Sequence, residues 1–158
     1  MNILVLCTGN SARSILLESL LNTLGKGVVT AYSAGSQPAG KVHPQSIKLL
    51  AEKGHAFEGY RSKSWDEFAV PEAPVMDAVI TVCGSAASET CPIWPGTPLR
   101  SHWGVEDPAA AEPADAPAAF EEAYGILRRR AVTFLAQGIE QMDPDALRAH
   151  LSACAEVA

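Results

Sequence analysis

The stretch CTGNSARS sets a cysteine, Cys7, six positions ahead of an arginine, Arg13, between the apolar MNILVL and the helix-like ILLESLLNTL. Such a strand-to-helix turn can aim the backbone N–H groups of Thr8, Gly9, Asn10, Ser11, Ala12, Arg13 and Ser14 at one point, as an anion nest. The helix N-terminus adds partial positive charge. The planar fork of Arg13 can grip two oxygens of a tetrahedral oxyanion. Gly9 admits a backbone angle that a side chain resists, and Asn10 can tie the turn through side-chain-to-backbone bonds. The same positive surroundings should act on the Cys7 thiol. A free cysteine is mostly protonated at pH 7, and a helix N-terminus with a nearby arginine is expected to lower its pKa to roughly 3.5–7.5. One loop would then bind an oxyanion and aim a nucleophile at its centre, with Ser14 donating a further hydrogen bond to the thiolate.

The elements around this loop follow from patterning. Asn2–Leu6 reads as a strand buried on both faces. Leu16, Leu17, Leu20, Leu21 and Leu24 recur at helical spacing from Arg13 to about Leu24, where Gly25 and Gly27 stop the helix. Val28–Ser33 is a second strand, and Pro44 opens a short helix that ends at Gly54. MDAVITVC, Met76 to Cys83, is the strongest strand signal, and LRSHWGV a fourth. Helices are expected over Ala118 to about Gln137 and after Asp143, the N-cap residue before Pro144. Strands alternating with helices imply an α/β fold: a single-domain four-stranded parallel sheet flanked by helices, with right-handed crossovers. Ligands of such sheets sit beyond the carboxyl ends of the strands. Cys7 and Cys83 both stand there.

The chain has 158 residues, enough for one core, and a net charge of −6. An acidic chain argues against nucleic acid as a partner and confines any anion site to local positive potential. The basic run Arg128–Arg130 reads as a solvated helix face. Membrane partners are not expected, since no apolar run reaches the ~18 residues of a span. The N-terminus lacks a charged region followed by a cleavage site, and a cytoplasmic location is expected. Four cysteines, Cys7, Cys83, Cys91 and Cys154, in a reducing compartment point to reactive or buried thiols rather than structural disulfides. Without C-x-x-C or a histidine at ligand spacing, no metal site is expected. Taken alone, Asp107–Pro108 is an ordinary turn signal.

These motifs resemble the low-molecular-weight protein tyrosine phosphatase superfamily, whose loop is C-x5-R-[ST]. They are still closer to its arsenate reductase branch. CTGNSARS, YSAGSQPAGKVHP, VITVCGSAASETCP and HWGVEDP follow in that branch's order over residues 1–137. The resemblance implies a phosphatase-like arsenate reductase domain over residues 1–140, with 141–158 as a C-terminal helical extension of it. It implies that Cys7 attacks arsenate, that Arg13 and the loop amides bind it, and that Asp107 protonates the departing oxygen. Cys83 would then attack the Cys7 sulfur and Cys91 would carry the disulfide outward. No cofactor would be bound; the external thiol reductant would be thioredoxin, or alternatively glutathione and glutaredoxin. Asn10, Glu18 and Ser33 match positions that hold potassium in some relatives. Lys63 stands where those carry an acidic residue, so no bound potassium is expected. Cys154 reads as a packing residue. A low-molecular-weight tyrosine phosphatase is the competing enzyme, although the residues after Asp107–Pro108 are AAAE rather than aromatic. A non-catalytic oxyanion-binding module is the third reading.

Overall fold

The computed structural model describes residues 1–55, 59–84, 94 and 98–158. Its centre is one parallel sheet of β1 (Asn2–Leu6), β2 (Thr30–Ala34), β3 (Ala78–Thr81) and β4 (Leu99–His102), in the order β2-β1-β3-β4. Ile3 to Leu6 have no exposed surface, as the unbroken apolar run requires of a strand covered on both faces. β1 pairs with β2 from Asn2↔Thr30 to Leu6↔Ala34, and with β3 from Ile3↔Ala78 to Leu6↔Thr81. The chain leaves β1 toward β2 on one side and returns to β3 on the other. The crevice between the carboxyl ends of β1 and β3 is therefore the topological switch point, where open α/β sheets hold their ligands. Cys7 follows β1 by one residue and Cys83 follows β3 by two.

Helix α1 (Arg13–Leu24) spans the residues that the leucine spacing marks, and eight of them, Ser14–Leu21, are buried. It packs on β2 and on α3 (Ala116–Leu135), and α2 (Pro44–Glu52) also rests on α3. The last helix, α4 (Pro144–Ala155), covers β4 and packs against α3. Its N-cap is Asp143, whose carboxylate accepts from Ala146 N at 2.8 Å.

The structure departs from patterning at three strands and one arginine: β2 starts at Thr30 rather than Val28 and runs to Ala34, and β4 stops at His102 rather than continuing through Trp103–Val105. β3 is shorter than Met76–Cys83, because the ladder to β4 stops at Thr81↔His102. Arg130 is buried, whereas Arg128 and Arg129 face solvent as a basic run should. Among the described residues no helix is long and apolar enough to cross a membrane.

Candidate active site

The loop after β1 is held from outside. Gln37 N donates to Thr8 O at 3.0 Å, Ala39 N to Gly9 O at 2.9 Å and His43 N to Ser11 O at 3.0 Å. Ser62 Oγ adds a bond to Gly9 O, and Ser46 Oγ one to Ser11 O, both at 3.0 Å. Engaging the carbonyls on the outer side turns the N–H groups inward. Among the described residues no backbone carbonyl accepts from Ser11, Ala12 or Arg13 N–H. This second layer comes from the segment after β2, and it can close on the loop because residue 35 is glycine. A Cβ there would stand 2.3 Å from Thr8 O and 2.7 Å from Cys7 O.

Asn10 adopts φ 47°, the left-handed region that asparagine enters more readily than most residues. Its fully buried amide ties the turn together. Oδ1 accepts from Lys63 N at 2.9 Å, and Nδ2 donates to Ser14 Oγ at 2.8 Å and to Ser33 Oγ at 3.0 Å. Ser33 in turn donates to the Glu18 carboxylate. Burial pushes the Glu18 pKa up, against the Ser33 bond and the charge of Lys63. Lys63 is drawn down by its own burial, and its ammonium donates to Arg61 O at 3.1 Å.

Inside the loop is a cup of about 60 Å³, lined by Cys7, Gly9, Asn10, Ser11, Ala12, Arg13, Asp107 and Ala109. Sites for drug-sized molecules run to ~300–1,000 Å³, so this one suits a single inorganic oxyanion group. Arg13 reaches over it. Its Nη1 donates to Val105 O at 2.8 Å and its Nη2 lies 3.6 Å from Asp107 Oδ2. Among the described residues its buried Nε has no acceptor. A buried donor without a partner is costly, and an anion in the cup would meet it. Asp107 uses its other oxygen to accept from Ala109 N at 3.0 Å, capping the Pro108–Ala110 turn. The turn reading of Asp–Pro and its place at the rim of the site thus hold together.

The cysteines correct one expectation. Cys7 is 6% exposed and Cys83 4%. Thr8 N donates toward Cys83 Sγ at 3.4 Å, and Thr8 Oγ1 lies 3.6 Å from it. The Cys7 thiol is pushed up rather than down. The hydrogen bond with Cys83 is the main cause, then burial, with the charge on Cys83 adding to them. Arg13 and the Gly9 N–H pull the other way and lose. The loop and the helix N-terminus by themselves would lower the Cys7 pKa. Two sulfurs in contact titrate as a pair, and the second ionisation works against the first charge.

The other candidates sort clearly. Cys91 lies outside the described residues. Cys154 sits in α4, 3.9 Å from His150, with its pKa raised by burial to about 11. His102 bonds Thr81 Oγ1 at 2.7 Å, and His43 caps α2 by accepting from Gln45 N at 3.0 Å. Among the described residues no cluster of His, Cys, Asp and Glu could hold a metal ion. Sequence reasoning missed Gln37, Ala39, Ser46, Ser62 and Val105, which act through backbone or hydroxyl contacts that no local pattern marks.

Known proteins resemble this chain in sequence and fold. The family model for low molecular weight phosphotyrosine protein phosphatase matches residues 2–145. A protein of Halalkalibacterium halodurans named arsenate reductase is 37% identical over 124 residues, covering 78% of this chain and 82% of the relative. The solved structure described as an arsenate reductase in the phosphate binding state superposes with a TM-score of 0.70 at 27% identity, covering 85% of this chain and 96% of that one. A Corynebacterium glutamicum structure, described as a thioredoxin-dependent arsenate reductase, gives 0.58 at 27% identity, over 80% of this chain and 58% of that one.

Proposed function

The chain belongs to the low molecular weight phosphotyrosine protein phosphatase family, and within it we propose that this protein is an arsenate reductase working by a thiol–disulfide relay. The observation that carries the reading is the second sulfur. Thr8, the loop residue next to Cys7, holds the buried Cys83 Sγ through its N–H at 3.4 Å and its hydroxyl at 3.6 Å, a placement that phosphate-ester hydrolysis does not need.

Arsenate enters with its oxygens toward the loop N–H groups and Arg13 Nε. Cys7 Sγ forms a bond to arsenic while one As–O bond breaks. The thiol proton and a proton supplied by Asp107 allow that oxygen to leave as water. Cys83 then attacks Cys7 Sγ. The S–As bond breaks and its electron pair stays on arsenic, which leaves as arsenite. Two thiols have lost two electrons, arsenic has gained them, and a Cys7–Cys83 disulfide remains. Thr8 N–H and its hydroxyl favour the attacking thiolate on Cys83. Beside Glu18, the charge of Lys63 serves where a cation would otherwise be required, and no potassium is invoked.

Cys91 attacks Cys83 next and presents the disulfide to thioredoxin; glutathione with glutaredoxin is the alternative reductant. Such a relay requires a compartment that keeps thiols reduced, the cytoplasm. The test is arsenate-dependent NADPH oxidation with thioredoxin and thioredoxin reductase. Sustained turnover is expected, lost in Cys7→Ser and lost in Cys91→Ser without loss of single-turnover arsenite. Normal turnover of Cys91→Ser with thioredoxin would contradict the third step. Turnover only with glutathione and glutaredoxin would replace the reductant.

A further inference from the structure

The residue that broke the basic-run expectation, Arg130, faces the back of the segment that carries Asp107. The residue as a whole is 9% exposed. Nη1 donates to Gly104 O at 3.1 Å and Nε to Val157 O at 2.8 Å. Among the described residues no carboxylate lies within ion-pair distance of it, and burial lowers its pKa against the opposing charge of Glu156. A buried cation with carbonyls as its partners fixes those carbonyls in place.

Gly104 is one residue from Val105 and three from Asp107. Val105 N donates to Val82 O at 3.2 Å, beside Cys83, and Val105 O accepts from Arg13 at 2.8 Å. Just upstream, the fully buried Trp103 donates its indole N–H to Leu151 O of α4 at 3.0 Å. The acid-bearing segment thus touches the oxyanion loop on one side. On the other it is held by α3 through Arg130, whose Nε is itself fixed by Val157 O just after the last helix, and by that helix through Leu151. Most of that helix lies beyond residue 145, where the family model stops.

We propose that Arg130 is a positioning residue for Asp107, and that α4 with the following Val157 is the backstop that lets it hold the segment from Trp103 to Asp107 against Arg13. The kinetic part rests on the acid role given to Asp107; the positional part does not. Without the guanidinium, Gly104 O and Val157 O lose their shared donor and the segment is free to drift from the cup.

The test compares Arg130→Met, Arg130→Lys, Asp107→Asn and the Arg130→Met/Asp107→Asn pair. Amide hydrogen exchange reads position: in Arg130→Met the Val105 amide should exchange about 10-fold faster while the β1 amides keep their protection. Single-turnover arsenite release should fall about 10- to 100-fold, inorganic phosphate affinity should change less than about threefold, and Arg130→Lys should lie between. The pair should be no slower than Asp107→Asn alone, because both changes remove one function. Multiplying effects, or exchange rising equally in β1, would overturn the proposal and leave Arg130 a stability residue. An Asp107→Asn protein with full rate would overturn the acid role instead, and Val105 exchange would then decide the positional claim by itself.

Discussion

At the scale of the residue, the chemistry of Cys7 is set less by the loop that surrounds it than by the sulfur beside it. Cys83 is the chief cause of the raised Cys7 pKa, whereas Arg13 and the Gly9 N–H oppose it. Removing that sulfur therefore lowers the Cys7 pKa. In Cys83→Ala, with no oxyanion bound, iodoacetamide should label Cys7 at a lower pH than in the parent, read peptide by peptide in a mass spectrum. An unchanged or higher labelling midpoint would mean that burial alone protects the thiol. Cys7 and Arg13 were legible as candidates because they share one short loop, whereas Asp107, an ordinary turn signal by itself, became a candidate only through the family resemblance. The sign of the Cys7 shift was not legible, since it depends on a contact between residues 76 positions apart. Arg130 misled for a related reason: a run of three arginines says nothing about which of them turns inward on a packed helix.

At the scale of the element, the oxyanion loop is a product of its neighbours. The segments after β2 and around Ser62 engage its carbonyls, and Gly35 lets them come close. Gly35→Ala should push this layer away from Thr8 O and Cys7 O. Overpacking of this kind typically costs ~1–3 kcal/mol, and here the loss should appear in function as well: phosphate affinity should drop at least about tenfold, by titration calorimetry. Full affinity in Gly35→Ala would show that the loop holds its shape unaided. The helices were legible from leucine spacing, glycine stops and the Asp143–Pro144 start. Strand ends were not, because β3 ends where its partner β4 ends rather than where its own apolar run does.

At the scale of the whole molecule, strand order brings the two cysteines together. Both follow strands that flank the switch point, and a sheet ordered β2-β1-β3-β4 makes β1 and β3 neighbours. The alternation of strands and helices made the fold class readable, while strand order was not, because it is set by pairing between segments distant in the chain. The same packing buries His55 between helices: its Nδ1 lies 3.0 Å from Ser19 Oγ and 3.1 Å from Thr23 Oγ1 in α1, and its Nε2 lies 2.8 Å from Tyr124 OH in α3. Burial lowers its pKa, assisted by the charge of Arg128. As pH falls, the unfolded chain takes up that proton first, near its ordinary value of about 6.5. The contribution of His55 is therefore complete above about pH 6.5 and is lost as pH drops below it. Urea midpoints should fall between pH 7.5 and 5.5 in the parent and fall less in His55→Asn; equal losses would assign the acid sensitivity elsewhere.

The central claim is that one arsenate is reduced by the pair Cys7 and Cys83, and its most direct test is a single turnover without external reductant. The protein would be Cys91→Ser, so that the disulfide cannot migrate to that position. After mixing with arsenate, the account expects one arsenite released per chain, two thiols lost, and a Cys7–Cys83 linked peptide in the mass spectrum. Arsenite released without that linkage, or no arsenite while Cys7 and Cys83 both stay reduced, would contradict it.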